Sequence, residues 1–157
     1  MAVSSGVYGT NLLAALQTTP NPDLSNETSG TFYVGMVTDS HTPDFHNDDK
    51  RDDISNEVTG TGYTAGGTSG GAASLTKQNS VSSGSVVFAL GTDPAWTSST
   101  ISNAEAAFVY KHDALDDNTR LVCMIDFGSS FSSTSGTFTI DFNAAASGGV
   151  FHIKYVA

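Results

Sequence analysis

The sequence predicts an all-β protein: an antiparallel β-sandwich or jelly-roll-like barrel of about seven or eight strands, with one short N-terminal helix. Three observations carry this prediction. Apolar residues alternate cleanly over Thr137–Asn143 (TFTIDFN) and Val150–Val156 (VFHIKYV), the period-two pattern of strands with one buried face. Ala106–Tyr110 and Leu121–Phe127 (LVCMIDF) are apolar runs flanking a polar connector, His112–Thr119, and read as a central antiparallel hairpin. The second run is apolar on both faces, which suits a strand buried on both sides. Only 14% of residues are charged, while 16 glycines and many Ser and Thr are spread evenly, which suits strands joined by tight turns.

In chain order, residues 1–6 are small and polar and are expected to fray. Tyr8–Gln17 places Leu12, Leu13 and Leu16 at one helical spacing, with Thr10 or Asn11 as the possible cap. Thr18–Gly30, with Pro20 and Pro22, is a turn-rich connector. Thr31–Thr38 (TFYVGMVT) is a strand with Phe32, Val34 and Met36 on one face. Asp39–Asp53 is a long polar loop carrying a short helical turn. Ile54–Thr59 is expected to be a short strand leading into the glycine-rich Gly60–Gly71, and Ala73–Ser82 an edge strand. Ser85–Leu90 (SVVFAL) is a strand, Asp93, Pro94 and Trp96 a turn, and Gly128–Gly136 a Ser-rich turn. Alternation places Phe138, Ile140, Phe142, Phe151, Ile153 and Tyr155 inward and His152 and Lys154 outward. Phe108, Ile125, Phe138, Ile140, Phe151 and Ile153 are the expected core. No internal repeat or linker divides the 157 residues, about one domain's worth.

The formal net charge is -10, from 6 Lys plus Arg against 16 Asp plus Glu, with no basic cluster. Nucleic-acid binding needs cations that displace phosphate counterions, so that class is set aside. No apolar run approaches the ~20 residues of a membrane span, and MAVSSGVYG has no signal-peptide character. A soluble protein made in the cytoplasm is expected. A single cysteine, Cys123, lies in an apolar strand and reads as a packed hydrophobe.

Motifs for chemistry are weak. Gly67-Thr68-Ser69-Gly70-Gly71 spells G-x-S-x-G, but a nucleophile elbow needs a strand before the serine and a helix after it. Gly60, Gly62 and Gly66 miss the dinucleotide spacing. His41, Asp44, His46, Asp48, Asp49, Asp52 and Asp53 form the densest acidic and imidazole cluster, yet match neither zinc nor calcium spacing, so a solvated loop is expected over a calcium site. Tyr33, Tyr63 and Trp96 could stack on sugars or partners, although aromatics beside Gly and Pro more often plug sandwich ends. No catalytic, cofactor or metal residue is therefore assigned.

The order of pieces is itself informative. A YG..L..AL helix, the strand TFYVGMVT, a loop with His-Thr-Pro-Asp, the segment Asn56–Gly67 (NEVTGTGYTAGG), a Trp96 segment, an A.FVYK strand and a closing TFTIDFN resemble small virion structural proteins of tailed bacteriophages. The likeness covers most of residues 8–156 and is most specific at NEVTGTGYTAGG. It departs at an expanded Ser/Gly stretch, Gly67–Ser74, and a longer acidic loop, Asn47–Asp53. The resemblance implies a non-enzymatic capsid decoration or cement protein on the phage head surface. Its implied partners are the major capsid protein and two further copies in a homotrimer. Gly60–Gly71 and Asp44–Asp53 are the expected contact segments. The alternative is a virion-displayed module binding a host glycan or receptor at head, neck or tail. A hydrolase using Ser69 ranks third.

Overall fold

A computed structural model describes residues 3–17, 24, 32–79, 83–112, 119–142 and 149–156. It is an antiparallel β-sandwich of two sheets. The larger contains β1 (Gly6–Val7), β2 (Phe32–Val37), β3 (Gly60–Thr61), β4 (Thr68–Gly71), β7 (Ala95–Lys111) and β8 (Arg120–Thr139) in the order β1-β8-β7-β2-β4, with β3 also on β7. The smaller contains β5 (Ala73–Asn79), β6 (Ser83–Leu90) and β9 (Phe151–Val156), with β6 in the centre. The chain crosses from the larger sheet to the smaller at Ala72, between β4 and β5. That corner is tied by Gly91 N to Ala72 O at 2.6 Å and Thr92 N to Gly70 O at 3.1 Å.

The expected hairpin is the spine. β7 and β8 pair from Lys111–Arg120 back to Ala95–Thr139, while β2 pairs β7 in unbroken register from Phe32–Lys111 to Val37–Ala106. The connector's residues 113–118, like most of Thr18–Gly30, lie outside the described residues. Sheet packing explains why these strands are apolar on both faces. Phe32, Val34, Met36, Ala107 and Val109 face the smaller sheet and share a core with Phe88. Phe32 meets Phe88 edge-on at 5.4 Å, and Phe88 stacks on Phe151 at 5.1 Å. The opposite face carries Val37, Ala106, Phe108, Tyr110, Leu121 and Met124, packed with Val3, Tyr8, Phe45 and Ile54 from the N-terminus and the 39–56 loop. Gly35 is required on this face, because a Cβ there would lie 2.2 Å from the Phe108 ring.

Several expectations need correction. The helix α1 spans Gly9–Ala15, with Tyr8 as N-cap and no side-chain cap bond. Its buried residue is Asn11, whereas Leu13 and Leu16 are 65% and 71% exposed. Asn11 donates to Asp49 O and Leu121 O, so a polar tether, and not a leucine face, docks the helix. The start of the chain is not frayed throughout: Val3 is buried, and Gly6 pairs with Met124. Ile54–Thr59 is no strand and holds only a bridge from Glu57 to Val37. Gly128–Gly136 is no turn but continuous β8, where Ser and Thr pair with the start of β7, and Trp96 lies inside β7. The described residues hold nine strands, in keeping with the all-β expectation of about seven or eight, with β1, β3 and β4 short. Of the expected core, Phe108 and Ile140 are buried, Ile125, Phe138 and Phe151 are half-buried, and Ile153 is 49% exposed. In the three-stranded sheet β9 is an edge strand, so alternation there selects a side without burying it. The Tyr155 side chain lies outside the described residues.

The remaining elements agree with the sequence. A 3-10 turn, Arg51–Asp53, sits in the polar loop, β5 is an edge strand, and Cys123 is buried with its thiol pKa pushed up by that burial. Among the described residues no helix is long and apolar enough to cross a membrane.

Candidate functional site

The two segments expected to contact partners, Asp44–Asp53 and Gly60–Gly71, are both fastened to the large sheet, and Glu57 lies between them. Its Oε1 accepts from Tyr63 OH at 2.6 Å and Gly66 N at 2.5 Å, while Oε2 faces Arg51 Nη2 at 3.4 Å. Tyr63 OH in turn accepts Met36 N at 2.9 Å, and Tyr110 OH donates to Gly66 O at 2.9 Å. Burial, followed by the hydrogen bond to Glu57, pushes the Tyr63 phenol pKa well above its ordinary value. The segment NEVTGTGYTAGG is thus a clasp over β2. Asn56 takes φ 55° and donates through Nδ2 to Ser40 O at 2.9 Å. Val58 is buried, and Val58 N bonds Met36 O at 3.0 Å. Gly67 takes φ 77°, and a Cβ there would lie 1.8 Å from Val34 O, so this crossing admits only glycine. Outward, the clasp presents Thr59, Thr61, Gly62, Thr64 and Ala65. These short side chains and exposed backbone let a partner approach closely.

The acidic loop is equally ordered by local bonds. Asp44 Oδ1 accepts from His46 N and Asn47 N, and Oδ2 from Asn47 Nδ2 at 2.6 Å. The Asn47 side chain, then these amides, hold the Asp44 carboxyl below the ordinary carboxylate range. Asp48 Oδ2 accepts Asp44 N, and Asp53 Oδ2 accepts both Asp49 N and Lys50 N. Asp49 pairs with Arg120 across to β8. Gly9 N and Thr10 Oγ1 bond Phe45 O and His46 O, which ties the loop to α1. Four of the loop's carboxylates therefore shape the loop, whereas Asp39 and Asp52 are exposed, Asp39 accepting from the hydroxyl of its neighbour Ser40 at 3.3 Å.

His41 does not join the acidic surface. It is 1% exposed, its Nδ1 lies 3.2 Å from Ser55 Oγ, and burial lowers its pKa despite the opposing field of Asp48. Among the described residues no group of three or more His, Cys, Asp or Glu is placed to hold a metal. Ser69 sits in β4, its Oγ accepting Gly71 N at 3.0 Å, and the chain continues into β5, so the strand-turn-helix geometry of an elbow is missing there.

The aromatic candidates divide. Trp96 is buried between Tyr63 at 5.7 Å and Phe138 at 6.2 Å. Tyr33 is half-buried beside a hollow of about 200 Å³ lined by Arg51, Thr64, Gly66, Tyr110 and His112. Its ring lies 4.3 Å from that of His112. Sequence reasoning missed the roles of Glu57, Arg51, Asn11 and His41. Arg51 and Tyr63 each lie six residues from Glu57, Ser55 lies fourteen from His41, and Asn11 reaches carbonyls 38 and 110 residues away, so no pattern of adjacent residues marks these pairs. Comparison with known proteins finds no matching family model, no similar curated protein and no similar solved structure.

Proposed function

We propose that this chain is a non-enzymatic capsid decoration protein of a tailed phage, bound to the outside of the head, where it braces the shell. The reading rests on the resemblance through NEVTGTGYTAGG. In support, those residues form a stiff clasp whose outer side offers backbone and small side chains next to an ordered acidic loop. Pre-ordered surfaces lose little conformational entropy on docking. The major capsid protein is the partner, the acidic loop meets basic capsid surface, and the protein acts as a homotrimer. Weak contacts repeated over the shell sum to resist expansion.

The test uses heads that lack the protein. They should assemble, lose DNA more readily on heating or at low salt, and regain resistance when the purified chain is added. Localisation only at the neck or tail tip overturns the reading. One observation favours the second reading, a glycan-binding module: the hollow at Tyr33 and His112 joins aromatic faces to a guanidinium. A glycan array on which Tyr33→Ala abolishes binding would select that reading instead.

A further inference from the structure

From Phe127 to Ile140 the sequence FGSSFSSTSGTFTI carries no charged residue, in a chain of net charge -10. Along this arm β8 pairs with β7 on one edge only. β1 reaches the other edge at Cys123 and Met124, and Ser5 Oγ accepts one more amide, Asp126 N at 2.8 Å. Beyond that point the outer edge has no strand partner among the described residues. Most side chains from 128 to 139 are exposed as well.

Native sheets guard open edges with charge or keep them short, because unpaired N–H and C=O groups invite another strand. The other edge strands follow that rule. β9 exposes His152 and Lys154, β5 contains Lys77, and β3 and β4 are two and four residues long. The β8 arm is long and uncharged. Its defence is the set of irregularities in its ladder with β7, which bend the ribbon without adding charge. Beside the edge lies a groove of about 310 Å³ lined by Phe127, Phe131, Phe138, Thr139, Ile140 and Asp141. Phe131 is 48% exposed and meets Phe127 edge-on at 6.0 Å. An exposed aromatic on an unguarded edge is what an interface core looks like before its partner arrives.

We propose that this arm joins copies of the chain, with the β8 edge and Phe131 of one copy seated against the Phe127–Phe138 groove of the next. Charge selects the occupant. Copies of a strongly acidic chain repel wherever carboxylates face one another, and the uncharged arm, with Asp141 the single carboxylate lining its groove, is where they can meet at least cost. A head-to-tail contact closes into a ring when its rotation is a whole fraction of a turn, and a three-fold rotation would give the proposed homotrimer. The inference rests on the reading of the protein as a multimer and names the surface responsible.

Sedimentation equilibrium on the full chain tests it, comparing wild type with Phe131→Asp, with the arm variant Ser130→Lys/Thr134→Lys, and with Leu13→Asp on the exposed side of α1. Circular dichroism confirms that each variant is folded. The wild type should be oligomeric, the first two variants should weaken association at least about tenfold, and Leu13→Asp should change nothing. A monomeric wild type, or an oligomer indifferent to both arm variants, overturns the proposal. So does a monomer whose attachment to purified heads is lost with Phe131→Asp, because the arm would then take capsid and not a second copy. An oligomer that dissociates as expected yet never binds heads supports the arm contact and removes the cement reading.

Discussion

Replacing Glu57 with Ala withdraws one acceptor from three donors at once. Tyr63 OH and Gly66 N both lose short bonds, at 2.6 and 2.5 Å, and Gly66 is buried. A buried donor left without a partner costs about 1–3 kcal/mol. The Arg51 pair is longer, at 3.4 Å, with the two side chains 31% and 18% exposed, and contributes about 1 kcal/mol or less. Water can reach the outer side of the clasp, so the lower part of each range applies and the sum is about 3 kcal/mol. For a chain of this length that is a fall of roughly 6–12 °C in melting temperature. Glu57→Gln keeps an acceptor for Tyr63 and should cost only about 1 kcal/mol. Urea unfolding at constant m-value measures both, and a double-mutant cycle with Tyr63→Phe should return a coupling of about 1 kcal/mol. A loss below about 1 kcal/mol for Glu57→Ala would mean that Glu57 does not hold the clasp.

Burial separates two residues that alternation alone treats alike. Phe108→Ala, at 0% exposure, should cost about 3–5 kcal/mol, whereas Ile153→Ala, 49% exposed, should cost less than about 1 kcal/mol; equal losses in urea unfolding would contradict the assigned faces. Stability should also fall as pH drops below about 6.5. The folded state holds His41 neutral, so between its lowered folded pKa and the ordinary value of 6.5 the unfolded chain binds the proton. His41→Asn should flatten the stability profile between about pH 7 and 5, and an unchanged slope would remove His41 as the cause. The Asp44 contribution acts in a separate window: its pKa is lowered, so its stabilisation is present above the ordinary carboxylate value and lost as pH falls through the folded one.

How much was legible depended on whether the signal was local. Strands β2, β6, β7, β8 and β9 were readable because alternation or a double-faced apolar run is written in neighbouring residues. The Ser-rich stretch of β8 was misread as a turn because Ser and Gly mark turns when nothing pairs with them, and its pairing with Ala95–Ala104 is non-local. Leu13 and Leu16 look like a buried helical face, yet the helix is held by Asn11 reaching Leu121 O, 110 residues away. Ile153 failed for a related reason, since alternation reports which side a residue faces and not what covers that side. At the site, the glycine-rich run was visible but its purpose was not. Gly67 is fixed by the carbonyl of Val34, which no inspection of the run itself could supply.

The two proposed surfaces should respond to salt in opposite directions, and this separates them without any mutation. Attachment through the acidic loop would place Asp39 and Asp52, both exposed, against basic capsid groups, an attraction that screening weakens beyond a Debye length of about 8 Å at physiological salt. Association through the β8 arm brings together stretches with no charge from Phe127 to Ile140, while the bodies behind them carry -10 each. Screening that repulsion leaves the arm contact unchanged or tighter. Raising salt from about 50 to 500 mM should therefore release the protein from heads while the oligomer persists in sedimentation. Asp39→Asn/Asp52→Asn should reproduce the release at low salt with little change in melting temperature. Asp49→Asn should instead lower the melting temperature, because Asp49 pairs with Arg120 and anchors the loop to β8. If salt dissolves the oligomer and leaves head binding intact, the charges work at the subunit contact, and the assignment of the two surfaces is reversed.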